Sequence, residues 1–312
     1  DLFSSFLSAC VIITVIMMVV QRGVAAGLVS MVSNVFPMLL LFGFLGWAGL
    51  PLDIGSVMTA SIALGMAIDG TLHFLTFFRQ GIDAGLAPPE AVHAAFSTIG
   101  AQFDMEWSLH LASHRKRIAL FVSLADHAMQ ELLWRQRTDD LHADIVCVVS
   151  NHQRLASVAA QWDVPYHHIP MEKGKKAETE AAQLELAARY QADVIVLARY
   201  MQIISNDFLT RFPGDVINIH HSFLPAFVGA DPYRAAYDRG VKLIGATAHY
   251  VTEELDAGPI IEQDVQRVDH RQSVAELRRI GRFIEREVLA RAVTWHVQDR
   301  VIVYGNRTIV FT

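Results

Sequence analysis

Three polar residues of this 312-residue chain could carry out acyl chemistry. In Asn218-Ile219-His220 an amide and an imidazole stand two residues apart, and on a β-strand that spacing sends both side chains to one face. Each can donate a hydrogen bond to a carbonyl oxygen, which suits stabilisation of an oxyanion during acyl transfer. Taken alone, Asn-x-His is equally the pattern of a satisfied core pair; the next residue, His221, falls on the opposite face and reads as structural. Asp256 follows in Asp256-Ala257-Gly258-Pro259, a turn that introduces another apolar strand. A carboxylate held rigid there, at the rim of a cleft, could act as a base toward water or steer a proton on a neighbouring histidine. By itself the same Asp would simply cap its own turn.

Other residues define what this chemistry would act on. Arg199-Tyr200-Met201-Gln202-Ile203-Ile204-Ser205 is a mostly apolar loop with a few polar groups, suited to a flat heteroaromatic ligand or, read by itself, to core packing. The segment Ser123-Leu124-Ala125-Asp126-His127 ends the first strand without a glycine, and none occurs between Gly100 and Gly174. A phosphate-cradling turn needs that close backbone approach, so a nucleotide or sugar phosphate is not expected there. The histidines show neither the HExxH pattern nor paired-cysteine spacing, so neither a metal nor a cofactor is expected. With Cys10 and Cys147 as the two cysteines, no disulfide framework can form, which fits a reducing compartment.

The elements that must position these groups read as an α/β domain. Arg117–Ser123, Asp144–Ser150, Val164–Ile169, Asp193–Ala198 and Asp215–His220 are short and apolar, and they alternate with helical stretches near His127–Arg137, Arg154–Trp162 and Lys176–Tyr190. This alternation predicts a mostly parallel, Rossmann-like sheet covered on both faces, with a ligand site beyond the carboxyl ends of the strands. Ser273–His296 reads as one long amphipathic helix, and Val301–Phe311 as a small hairpin around Gly305-Asn306.

The front of the chain is a different material. Of its 58 Asp, Glu, Lys and Arg residues, only Asp1, Arg22, Asp53 and Asp69 lie in the first 78 positions. Water-facing surfaces are mostly polar or charged, so this segment reads as membrane, whereas the net charge of −6 argues against a dedicated nucleic-acid binder. Three apolar spans can be drawn, Leu2 to Val20, about Leu28 to Leu50, and Ile54 to Phe78, each near the roughly 20 residues that cross a bilayer. Arg22 and Arg79 would lie on the cytoplasmic side, together with everything after them, and the loop Leu50-Pro51-Leu52-Asp53 on the other. An acid within such a span normally faces a protein interior or a proton path, which makes Asp69, one helical turn before His73, a candidate relay residue. The chain starts without Met or a basic flank, which reads as a fragment's front end rather than a signal peptide. Near Pro88 a short amphipathic helix begins, running toward Gly100.

Two family resemblances sharpen this. Residues 1–101, above all GLPLDIGSVMTASIALGMAIDGTLHFLTFFRQG, resemble transmembrane helices of resistance-nodulation-division exporters of the MMPL-like branch, in which the residue matching Asp69 is implied to couple proton entry to export. Such exporters have many more helices and large extracytoplasmic domains, so transport by this chain alone is not expected. Residues 103–312, through FDMEWSLH, DIVCVVSNH, ARYMQIIS, NIHHSFLPAFVGADPYRAAYDRGVKLIGATAHYVTEELDAGPIIEQDV and RVIVYGNRTIVF, resemble the formyltetrahydrofolate deformylase family. That resemblance implies the formyltransferase fold and hydrolysis of 10-formyltetrahydrofolate, the substrate, to tetrahydrofolate and formate, feeding purine synthesis and balancing one-carbon folates. It implies that Asn218 and His220 polarise the formyl oxygen, that Asp256 is the essential carboxylate, and that Arg199, Tyr200, Met201, Gln202 and Ile203, with Val251, Glu254 and Leu255, enclose the pterin ring.

The related glycinamide ribonucleotide formyltransferases share Asn-x-His and the later Asp. They are implied to hold their acceptor's phosphate on a Gly/Ser-rich first turn, which is missing here, so water is the expected acceptor. The deformylase family carries an amino-terminal ACT-like domain implied to regulate activity or support homo-oligomers, and here the exporter-like segment occupies its place. The expectation is therefore a cytoplasmic deformylase joined near Gln102-Phe103 to a membrane segment, as a chimera or misassembled frame, with an exporter remnant carrying a passenger domain as the alternative.

Overall fold

The computed structural model describes residues 2–49, 54–105, 107–111, 114–226 and 231–312. It separates into two compact units, Asp1–Leu111 and Ala112–Thr312.

The first unit is helical: α1 (Leu2–Val20), α2 (Val24–Trp47), α3 (Ile54–Asp83) and α4 (Pro88–Gln102). Gln21-Arg22-Gly23 breaks the first apolar run, with Arg22 in the left-handed region at φ 51°. The Arg79 guanidinium donates to the carbonyls of Val20 and Gln21, satisfying acceptors that the end of α1 leaves open. Inside the bundle, Thr71 Oγ1 donates to Asn34 Oδ1 at 2.9 Å, pairing the buried amide of α2 with α3. Among the described residues one helix, α2, is long and apolar enough to cross a membrane; the apolar stretch Ser8–Val20 is shorter. The expected loop Leu50-Pro51-Leu52-Asp53 lies outside the described residues. Asp69 and His73 do share a helix face, at 3.5 Å, but the Asp69 side chain is 76% exposed rather than turned to an interior. α3 packs chiefly on α4, which leaves that face of α3 without a covering element.

The second unit begins with β1 (Lys116–Val122), α5 (His127–Arg137), β2 (Ala143–Ser150), α6 (Ala156–Ala160), β3 (Tyr166–His168), α7 (Lys176–Arg189) and β4 (Val194–Leu197). It continues with α8 (Asn206–Arg211), β5 (Asp215–His220), α9 (Pro232–Arg239), β6 (Leu243–Tyr250), β7 (Ile260–Arg267), α10 (Val274–Val297) and the hairpin β8 (Val301–Tyr304) and β9 (Arg307–Val310). The sheet order is β3-β2-β1-β4-β5-β6-β7. β1 through β5 pair in parallel, whereas β6 runs antiparallel to both β5 and β7.

β1, β2 and β4 are apolar on both faces because helices cover both, whereas the edge strand β3 reads Tyr-His-His and is only partly buried. Ile118, Leu120, Val148, Val196 and Ile217 pack with Leu132 of α5 and Val288, Leu289 and Val293 of α10. Phe121, Val149, Ile195 and Val216 pack with Leu186 of α7 and Phe208 of α8 on the other face. Val288, Leu289 and Val293 are fully buried, and each such side chain contributes about 1.5–3 kcal/mol relative to exposure. α10 starts at a capping box: Ser273 Oγ accepts from the Glu276 amide, and Glu276 Oε2 accepts from the Ser273 amide at 2.7 Å.

β6, α8 and α9 go beyond the expected elements, and α6 is shorter than the stretch anticipated for it. β6 reads Leu-Ile-Gly-Ala-Thr-Ala-His-Tyr, rich in small residues that have little strand propensity of their own. The packing requires them: a Cβ at Gly245 would stand 2.4 Å from the Asp264 carbonyl oxygen.

Candidate active site

The carboxyl end of β5 meets the turn between β6 and β7. Asn218 and His220 project from one face of β5, as the two-residue spacing predicts, and antiparallel pairing sets Asn218 opposite His249 and His220 opposite Thr247. Asp256 sits in the following turn with φ 56°, a left-handed conformation that costs a non-glycine residue strain and recurs at functional sites. The turn is pinned on several sides. The Tyr250 amide donates to the Pro259 carbonyl at 3.0 Å, the Val251 amide to Val216 at 2.7 Å, and Asn306 Nδ2 to the Ala257 carbonyl at 3.0 Å. Gly258 permits this closure, since a Cβ there would lie 1.9 Å from the Tyr250 carbonyl oxygen.

Asp256 is thereby brought against two imidazoles. Its Oδ2 lies 3.2 Å from His220 Nδ1, and its Oδ1 lies 3.6 Å from His249 Nε2. Hydrogen bonding from His220, and then from His249, outweighs the opposing effect of burial and holds the Asp256 carboxyl well below the usual carboxylate range. Asp256 is therefore ionised at any physiological pH. With His220 Nδ1 directed at the carboxylate, Nε2 is left buried and, among the described residues, has no hydrogen-bond partner. A polar group on a bound ligand would satisfy it.

His249 is the site residue that the sequence reading missed. Its Nδ1 lies 2.9 Å from the Tyr250 carbonyl, which can only accept, so that nitrogen carries a proton. Its Nε2 lies 3.3 Å from Asn218 Nδ2 and 3.6 Å from the Asp256 carboxylate and serves one at a time, accepting from the amide when unprotonated and donating to the carboxylate when protonated. One imidazole thus stands between the amide of β5 and the carboxylate of the turn. The signal in the sequence was its place on β6, legible only once β6 is recognised as a strand beside Asn218.

The expected pterin-enclosing residues divide. Met201, Ile203 and Leu255 are exposed apolar side chains and Glu254 is exposed, while Gln202 and Val251 are partly buried. Tyr200 is turned away: it is buried, packs edge-on against Phe121 at 5.4 Å, and accepts from Gln183 Nε2 at 2.7 Å. Arg199, in the left-handed region at φ 64°, points toward Glu285 of α10, with Nε 3.5 Å from the carboxylate. The side chains of Arg199 and Tyr200 therefore support the loop instead of lining a ring pocket, because the positive φ swings Arg199 out of the strand's alternation. At the first turn, Ser123 Oγ donates to Asn151 Oδ1 at 2.6 Å and accepts from the Met201 amide at 3.2 Å, so that hydroxyl anchors the loop after β4. Among the described residues there is no cluster of three or more His, Cys, Asp or Glu side chains arranged to hold a metal ion.

A family model described as formyl transferase matches residues 116–293. The formyltetrahydrofolate deformylase of Bacillus subtilis (strain 168) is 56% identical over 237 residues, covering 75% of this chain and 79% of that protein. In structure, the formyltetrahydrofolate deformylase of Pseudomonas syringae pv. tomato matches with a TM-score of 0.68 at 51% identity, over 70% of this chain and 73% of that one. Glycinamide ribonucleotide transformylase 1 from Symbiobacterium toebii matches with a TM-score of 0.61 at 29% identity, over 66% of this chain and 99% of that one. The Bacillus match is longer than the 210 residues from 103 to 312, so similarity to deformylases reaches upstream of Phe103. By sequence and by fold, the chain belongs to the formyl transferase family, among its formyltetrahydrofolate deformylases.

Proposed function

We propose that residues 112–312 hydrolyse 10-formyltetrahydrofolate to tetrahydrofolate and formate, and the observation that carries this is Asp256 paired with His220 beside Asn218. In this reading the formyl oxygen accepts from Asn218 and His220 Nε2, which stabilise negative charge as water adds to the carbonyl carbon. The C–O bond forms, the C–N10 bond breaks, N10 takes a proton, and formic acid leaves as formate after losing its own proton. A carboxylate whose pKa lies so low is a weak base toward water. Asp256 accordingly works by orienting the attacking water and stabilising His220 as an imidazolium, whose Nε2 proton goes to N10 as the C–N10 bond breaks and is replaced by a proton of the added water. Met201, Ile203 and Leu255 offer apolar surface to the pterin, with backbone groups of the two loops reading its edges. No cofactor enters this scheme.

The choice of water over an amine acceptor rests on the first turn. Asp126 and His127 lead straight into α5 with no glycine, and the Ser123 hydroxyl is already engaged, so nothing there cradles an acceptor's phosphate. The helical unit is read as an exporter-like membrane fragment spanning about residues 1–79, with the catalytic unit on its cytoplasmic side. Its join to the deformylase lies upstream of Phe103. The alternative, an exporter remnant with an inactive passenger, predicts a well-folded second unit that releases no formate. Incubating the full chain in detergent with 10-formyltetrahydrofolate and measuring formate, with glycinamide ribonucleotide present or absent, separates hydrolase, transferase and passenger.

A further inference from the structure

A second cluster of polar side chains lies beyond the strand ends, on the α10 side of the sheet. Ala125, His127, Arg199, His221, Asp231, Tyr233, Arg278, Arg282 and Glu285 line a cavity of about 290 Å3. At its floor the Glu285 carboxylate, 2% exposed, accepts from His127 Nε2 at 2.8 Å and from the Tyr233 hydroxyl at 2.6 Å. Burial alone would raise the Glu285 pKa, but His127, Arg199 and Tyr233 together bring it below the ordinary value. Glu285 is thus a fixed negative charge and uses up one nitrogen of His127.

Arg199 has donors without an acceptor: its Nε and Nη1 have no hydrogen-bond partner among the described residues, and neither has Nδ1 of His127, the acceptor nitrogen of a neutral ring whose Nε2 donates to Glu285. Arg199 Nε is near Glu285 without hydrogen-bond geometry. Buried donors are nearly always satisfied, and these can only be satisfied by an acceptor that enters the cavity. The fixed charges around it are Arg199, Arg278 and Arg282 against Asp231 and Glu285, a net of +1 with His127 neutral, which matches a monoanion rather than a phosphate dianion.

The cavity also adjoins the reaction centre. The His220 and His221 rings lie 5.3 Å apart, and those of His221 and Tyr233 lie 6.1 Å apart, so a relay of ring faces leads from the reacting formyl group to the cavity wall.

We propose that this cavity is a subsite for a small monocarboxylate, occupied by the formate that hydrolysis releases; the ligand's identity rests on the hydrolase reading above. Arg199 binds the carboxylate through Nε and Nη1, while Arg278 and Arg282 attract it electrostatically. Formate held there is parted from the newly formed amine and cannot return to it before the folate leaves.

The test uses the full chain in detergent, titrated with sodium formate by NMR line broadening of 13C-formate without folate, alongside formate inhibition of hydrolysis. Wild type should bind formate. Arg199→Gln should weaken binding and product inhibition at least tenfold, and Arg282→Gln, at the exposed rim, severalfold, with KM for 10-formyltetrahydrofolate within twofold of wild type in Arg282→Gln. Formate binding equal in wild type and Arg282→Gln, or no binding by a protein that still releases formate from the folate, overturns the subsite while leaving hydrolysis intact. Tighter binding of inorganic phosphate than of formate overturns the monocarboxylate assignment. Formate binding that is lost in the variants of a chain with no hydrolysis supports a carboxylate site and refutes the hydrolase reading instead.

Discussion

Both oxygens of Asp256 face imidazoles, and this decides how the residue can act. A group held so far below its ordinary pKa does not titrate where the enzyme works, so the acid limb of a rate profile belongs to another group. Asp256→Asn should lower kcat by about 10²–10⁴-fold with a small change in KM, as expected for removal of a group acting on proton transfer. The depressed pKa has a second consequence for stability. Because the folded value lies below the unfolded one, the stabilising effect of ionised Asp256 is complete above the ordinary carboxylate range, near pH 4. It is lost as pH falls from there through the folded value. Thermal melts between about pH 5 and pH 2 should therefore decline less steeply in Asp256→Asn than in wild type; parallel curves would contradict the coupling to His220 and His249. The residues of Asn-x-His and Asp-x-Gly-Pro were legible as chemistry from their types and spacing. Arg199 and Tyr200 were legible as a loop but not in direction, because the positive φ at Arg199 reverses the side-chain order and no local signal in Ala-Arg-Tyr marks it.

At the scale of elements, β1, β2 and β4 announced themselves because buried parallel strands are continuous apolar runs. β6 did not, since the close approach of β7 forces Gly245 and small neighbours, which erases the β-branched signature. His249 was missed with it. The terminal hairpin was visible as a pattern around Gly305-Asn306, but its task, holding the Asp256 turn through Asn306 and Thr308, depends on contacts between distant segments. Asn306→Ala should cost about 0.5–1.5 kcal/mol of stability if the lost hydrogen bond is an ordinary one, and should lower kcat more than stability alone accounts for by loosening the turn. Urea denaturation of the variant beside its kinetics would reveal this, and unchanged kcat would sever the hairpin from the site. By contrast, Ser273→Ala removes the cap of α10 far from Asp256, and should lower stability by about 1 kcal/mol with kcat unchanged.

For the whole molecule, the uneven charge distribution falls on two compact units, the first poor in charge and the second rich in it. The second unit's family is established by the formyl transferase match and by deformylase relatives at about half identity. The first unit carries one helix that passes the test for a membrane span, and the exposed Asp69 has no enclosing helices of its own chain on that face. If residues 1–79 insert as proposed, the full chain should sediment with membranes and resist carbonate extraction; recovery in the soluble fraction would contradict the insertion. The match that reaches upstream of Phe103 adds that α4 should be retained when the helices before it are removed.

The central claim is that Asp256, His220 and Asn218 form a hydrolytic centre for a formylated folate. It is tested most directly by measuring formate released from 10-formyltetrahydrofolate by the full chain, with no acceptor added, for wild type and Asp256→Asn side by side. Stoichiometric formate and tetrahydrofolate from wild type, with release falling by at least about a hundredfold in the variant, is the predicted result. No release by a folded wild-type chain, or equal release by both proteins, would contradict it.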